Sequence, residues 1–258
     1  PSCGSKYLGG FKAGTQKIEM LVKQRFPKAR VLRMDFDTTR TKDSYEKILQ
    51  AFANQEADIL IGTQMIVKGH DFPNVTLVGV LAADMSLHVA DYHAAERTFQ
   101  LLTQAVGRAG RGQLPGQAII QTYDPEHFAI QTAKAQDYEA FYQHEIAYRK
   151  MMHYPPIWNM LLVHCMGKNE QITQQTAQLM ADKLQSAIQR SGKPVLLVGP
   201  ADATIAKVND IYRKVLYMKA ADYQTLVALK DALEQFGKKT NAFSNVTIQF
   251  DFNPSSGF

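Results

Sequence analysis

The sequence predicts an α/β protein in two parts, a lobe built on a parallel sheet followed by a small α+β plait. Three observations carry this. Between residues 15 and 135, apolar runs of strand length alternate with segments whose apolar residues recur at helical spacing, the pattern of a parallel sheet with crossover helices. From residue 157 the order becomes strand, helix, strand, strand, helix, strand, which is that of an antiparallel plait. Between the two stands Tyr154-Pro155-Pro156, where two prolines stop a helix and mark a hinge. The boundaries expected are a leading segment 1–14, a lobe 15–135, a helical linker 136–156 and a terminal domain 157–258.

In the lobe, Thr15 opens an amphipathic helix as its N-cap, with Ile18, Leu21, Val22 and Phe26 on one face and Pro27 as its stop. A strand is expected over 31–37 and a polar loop over Thr38-Thr39-Arg40-Thr41, with Arg33 and Asp37 holding that loop. A helix over 43–54 buries Tyr45, Ile48, Leu49 and Phe52. Buried strands follow at 58–65 and 75–81, a strand closing the lobe at 118–123, and helices at 127–135 and 137–152. In the terminal domain, strands are expected at 157–166, 195–198, 204–208, 212–218 and 246–252, with helices at 171–189 and 223–236.

Composition bounds the function classes. The 258 residues suffice for two ordinary domains, and 45% hydrophobic with 10% aromatic content excludes disorder over most of the chain. A net charge of +5 is compatible with nucleic acid but too small to argue for it. Cys3 and Cys165, the two cysteines, cannot build a disulfide framework and point to a reducing, cytoplasmic setting. Apolar runs such as 77–83 are far too short to span a bilayer, and no basic-then-apolar leader opens the chain, so no membrane association is expected.

Chemistry concentrates in two segments. In Gln104-Ala105-Val106-Gly107-Arg108-Ala109-Gly110-Arg111, two arginines three apart fall near one face of a helical turn, among residues small enough for a phosphate to approach. A guanidinium keeps its charge and presents forked donors that fit phosphate oxygens. The second segment is Gly62-Thr63-Gln64-Met65-Ile66-Val67-Lys68-Gly69-His70-Asp71-Phe72-Pro73-Asn74. Taken alone, Thr63 could cap, Gly69 could turn the chain and Lys68 could be an ordinary solvated lysine. No G-x-x-x-x-G-K-[ST] loop occurs in the sequence.

Q-x-x-G-R-A-G-R resembles the last signature motif of superfamily 2 helicases, and G-T-Q-M-x-x-K-G-x-x-F resembles the PriA family of replication-restart helicases in particular. The resemblance runs over essentially the whole chain, strongest from Asp58 to Arg111. It implies a RecA-like second motor lobe in which Arg111 is an arginine finger, Arg108 its companion on the phosphates and Gln104 part of the same motif. It implies that Gly69 and Asp71 lie beside the nucleotide, while Thr63, Gln64 and Lys68 contact DNA. Thr15, in a G-T-[EQ] sequence at a helix start, either caps or holds a phosphate.

Further expectations follow from the family. ATP and magnesium serve the full-length protein, as does zinc, for which Cys3 resembles the last ligand of a site whose other cysteines lie upstream. Taken alone, Cys3 is equally a stray thiol near a terminus. Partners implied are branched or forked DNA, single-stranded DNA, single-stranded DNA-binding protein and primosome-loading proteins. The first motor lobe is expected to be missing, so that this chain alone holds no tightly bound cofactor and hydrolyses no ATP. Lys207, Arg213, Lys214 and Lys219 either track phosphates or give a half-solvated strand its polar side. The alternatives are another superfamily 2 DNA translocase and a non-enzymatic nucleic-acid-binding module.

Overall fold

A computed structural model describes residues 14–41, 43–67, 72–89, 91–110 and 115–255. By internal contacts the chain divides into two units, Pro1–Leu87 with Glu96–Tyr138, and His88–Ala95 with Glu139–Phe258.

In the first unit the elements are α1 (Thr15–Arg25), β1 (Val31–Met34), α2 (Ser44–Ala53), β2 (Ile59–Gly62), a 3-10 turn Gln64–Val67, β3 (Leu77–Val80), a 3-10 turn Ala83–Ser86, α3 (Ala94–Val106), β4 (Gln117–Ile120) and α4 (Phe128–Ala135). The strands pair in parallel as predicted, β1 with β2 and β3 with β4, with Met34 opposite Gly62 and Val80 opposite Ile120. All four are shorter than the sequence suggests. β1 stops at Met34 because Asp35 turns the chain: its carbonyl accepts from the Thr39 amide at 3.1 Å and hydroxyl at 2.7 Å, and its carboxylate accepts from the Thr38 amide at 3.0 Å. The expected buried strand near residue 78 is instead half-buried, with Leu77 58% exposed, because β3 and β4 each turn alternate residues outward. The amphipathic reading of α1 also needs correcting, since the helix buries no residue fully and Phe26 and Leu21 stand exposed.

In the second unit α5 (Tyr138–Met151) leads into β5 (Asn159–Gly167), α6 (Glu170–Ser191), β6 (Val195–Val208), β7 (Ile211–Ala220), α7 (Tyr223–Thr240) and β8 (Thr247–Phe252). The sheet order is β6-β7-β5-β8, antiparallel throughout, which is the plait predicted. Two strands expected before the hairpin are one, β6, interrupted by register shifts after Val198 and after Asp202. The hairpin turns on Asn209 and Asp210, both at positive φ, the conformation a two-residue turn between right-twisted strands needs.

Alternate residues of β5 and β7, among them Leu161, Val163, Leu216 and Met218, are fully buried against Met180 and Leu184 of α6 and Leu226 of α7. Cys165 lies in this core, where burial pushes its thiol up to about 11. Asn169 and Asp222 cap α6 and α7, accepting from the amides of Ile172 at 3.0 Å and Gln224 at 3.1 Å. Residues around the hinge form one cluster of this unit. Glu145 and Arg149 make a buried ion pair at 2.7 Å, Arg149 donates to the Pro155 carbonyl at 3.1 Å, and Tyr92 stacks on Tyr154 with ring centres 4.9 Å apart.

Candidate functional site

Met34 and Gly62 are register partners, so the segments that leave β1 and β2 do so at the same end. Thr15 arrives there from α1. It is not the cap: Gly14 is, and Thr15 is the first helical residue, its hydroxyl donating to the Asp35 carboxylate. That carboxylate, held below its ordinary value by the Thr15 hydroxyl and then by the Thr38 amide and nearby Arg33, is buried and organises the corner. Arg33 lies 3.4 Å from both Asp35 and Glu19. With its hydroxyl proton turned to Asp35, Thr15 offers a further group only lone pairs, whereas a phosphate requires a donor. Thr63 and Gln64 are exposed at the same end, one strand away. Arg33 therefore reaches the loop through Asp35, while Asp37 pairs with Arg40 at 2.7 Å on the surface.

The arginine segment is built differently from the helical turn expected. α3 ends at Val106 and the chain tightens, with Arg108 and Ala109 donating to carbonyls three residues back at 3.0 and 3.3 Å. Gly110 then turns to φ +73°, and its amide donates to the Val75 carbonyl at 3.0 Å. Two residues of Pro115-Gly116-Gln117 complete the corner: Gln117 donates to the Thr76 carbonyl at 2.8 Å, and Gly116 lies against Gly110. A Cβ on Gly116 would sit 2.0 Å from the Gly110 nitrogen, so backbone meets backbone only because both are glycine. Val75 directly follows the segment that begins at Gly62. Gly110 thus joins the ends of the two segments singled out in the sequence. Gln104 is exposed on the last turn of α3, and Arg108 is half-buried beyond it.

Lys68, Gly69, Asp71, Arg111 and Cys3 lie outside the described residues. No group of three His, Cys, Asp or Glu able to hold a metal occurs among the described residues. His93 instead bonds Asp91 at 3.1 Å, and His127 caps α4 through Nδ1. Of the basic residues in the second unit, Lys207 pairs with Asp210 at 2.9 Å and Lys214 with Asp202 at 2.6 Å. Lys219 packs on the Tyr154 ring and donates to the Met152 carbonyl at 3.0 Å, and burial pushes its ammonium below its ordinary value. Sequence reasoning missed Asp35 and Gly116. The signals were an Asp three residues before a Thr, and a Pro-Gly pair directly ahead of a strand.

Two family models match, in the order the fold displays. Residues 10–113 match one described as the helicase conserved C-terminal domain, and residues 150–255 one described as the primosomal protein N C-terminal domain. Replication restart protein PriA of Bacillus subtilis is 45% identical over 254 residues, 98% of this chain and 31% of the relative. The Synechocystis protein of the same name is 41% identical over 256 residues, covering 99% and 30%, and that of Chlamydia muridarum 40% over 259 residues, covering 100% and 34%. The chain spans about a third of the length of these relatives. No described helix is long and apolar enough to cross a membrane.

Proposed function

Because the chain belongs to the PriA family, we propose that it forms the second motor lobe and terminal DNA-binding domain of an ATP-dependent superfamily 2 DNA helicase acting in replication restart and primosome assembly. The observation that supports this reading is the Gly110–Val75 hydrogen bond, 3.0 Å long, which ties the end of the described arginine segment to the residue that follows the Gly62–Asn74 segment. Phosphoryl transfer needs little covalent help from the protein and much fixed positive charge. In this reading Arg111 and Arg108 supply that charge. Gln104 faces solvent on the last turn of α3, available to a nucleotide or to the companion lobe.

ATP with magnesium supplies the phosphoryl group and its counter-charge when bound. Asp84, a buried acid of this lobe, does not suit magnesium, since its carboxylate already accepts from the Thr122 hydroxyl and the Tyr123 and Asp124 amides. The DNA backbone is read by Thr63 and Gln64 at the carboxyl end of β2, with Lys68 a further contact in this reading, while Thr15 acts through Asp35 to hold the Thr38-Thr39 loop. The described residues do not fit zinc, and nothing in the mechanism here passes through it. Forked DNA, single-stranded DNA and the primosomal proteins are partners of the whole helicase in this reading.

The test is DNA-stimulated ATP hydrolysis by a chain carrying both motor lobes, comparing wild type with Arg111→Ala. Removal of a finger is expected to lower kcat by roughly 10³-fold or more with ATP binding retained. Unchanged hydrolysis would promote the non-enzymatic binding module.

A further inference from the structure

The short turn Ala83–Ser86, between β3 and α3, is held more firmly than a connection needs to be. It is entered through Ala82, whose φ of +51° is a left-handed conformation that costs a residue with a Cβ about 1 kcal/mol or more. Such a conformation persists only where the surroundings over-determine it, and such places cluster at functional sites. Here the surroundings come from the loop after β4. The Gln121 side chain accepts from the Ala82 amide at 2.7 Å, and the Gln121 carbonyl accepts from the Ala83 amide at 3.1 Å. Asp84, 4% exposed, accepts from the Thr122 hydroxyl, from the Tyr123 amide at 2.8 Å and from the Asp124 amide at 3.2 Å. Burial alone would raise this carboxyl, and the donors more than offset it, so it stays charged.

The far end of the turn is tied to a helix. Ser86 donates to the Ala83 carbonyl at 3.0 Å and accepts from the hydroxyl of Thr98, a fully buried residue in the second turn of α3, at 2.8 Å. β4 and α3 are therefore connected through one small rigid piece. The Gly110–Val75 bond and the Gly110–Gly116 contact fix the other end of the same helix–strand pair. A helix held at both ends against one parallel strand pair cannot slide along its axis, and a guanidinium acting on a transferring phosphoryl group needs its position fixed within a fraction of an ångström.

We infer that the Ala82–Ser86 turn is a latch that sets the axial position of α3, making Asp84 and Thr98 positioning residues for the arginine segment in ATP hydrolysis. This rests on the proposed motor function. Both act through the helix, and neither touches the nucleotide.

The experiment measures DNA-stimulated hydrolysis, with kcat and KM for ATP, in a chain carrying both motor lobes, on Thr98→Val, Thr98→Ser, Asp84→Asn and Arg111→Ala. Thr98→Val, which keeps the shape and loses the hydroxyl bond, is expected to lower kcat about tenfold with KM within about twofold. Thr98→Ser restores the hydroxyl and is expected to stay near wild type. Asp84→Asn lowers kcat at a temperature where its unfolding transition shows it fully folded. Wild-type kcat in Thr98→Val, or an equal loss in the Val and Ser variants, overturns the latch while Arg111→Ala still abolishes hydrolysis. Intact hydrolysis in Arg111→Ala overturns both the motor reading and the latch.

Discussion

Gly110 and Gly116 meet backbone to backbone: a Cβ on either would come within 2.5 Å of a main-chain atom of the other. The corner where they meet admits no side chain. Two backbones this close have no flexible group to move aside, so substitution must shift the strand or the helix end.

Gly116→Ala is therefore expected to destabilise the lobe by about 1–3 kcal/mol, the range for overpacking a tight site. Urea unfolding monitored by circular dichroism reads this directly. An unchanged midpoint would mean that the corner opens freely.

The buried pair Glu145–Arg149, at 2.7 Å with both side chains under a tenth exposed, should be costly to break and cheap to replace. Arg149→Met alone strands a buried carboxylate, with an expected loss of about 3–5 kcal/mol. The double variant Glu145→Leu/Arg149→Met recovers most of it. Equal losses in the single and double variants would show that the guanidinium's packing on the Tyr92 ring, 5.4 Å away, matters more than charge.

Asp58 predicts a pH dependence. Its carboxylate is held down to about 2 by hydrogen bonds from the Arg30 guanidinium and amide. A depressed folded-state value means that the stabilisation is complete above the ordinary carboxylate value near 4 and disappears as pH falls through about 2. The difference in thermal midpoint between wild type and Asp58→Asn should accordingly be constant from neutral pH to about 5 and shrink below about 4. The pair is solvent-exposed, so the difference is small throughout. A difference that grows on acidification would contradict the assignment.

Cys165, fully buried with its thiol pushed up to about 11, should not react with an aromatic disulfide reagent at pH 8 in the folded protein. In a Cys3→Ser background, labelling should follow the unfolding transition. Fast labelling of the native state would mean that the sheet of the second unit opens locally.

Several features were legible because their causes are local. Period-two and period-3.6 patterning separated a parallel lobe from an antiparallel plait, since burial on one face writes itself into neighbouring residues. The arginine segment stood out because its residues follow the order of a motif of the helicase family the chain matches. Strand length was not, because β1 ends where Asp35 captures Thr38 and Thr39 in preference to continuing its ladder.

The sequence by itself determined the family and the two architectures. Tertiary structure alone decided that Gly110 bonds Val75, that Asp84 serves the β4 loop, and that His88–Ala95, read as a stretch of the lobe, packs with the terminal unit, where Tyr92 donates to the Pro254 carbonyl at 3.2 Å. The physical reason is separation along the chain. These partners stand 35, 39 and 162 residues apart, and no local propensity or periodicity records which distant carbonyl or amide a buried group will find.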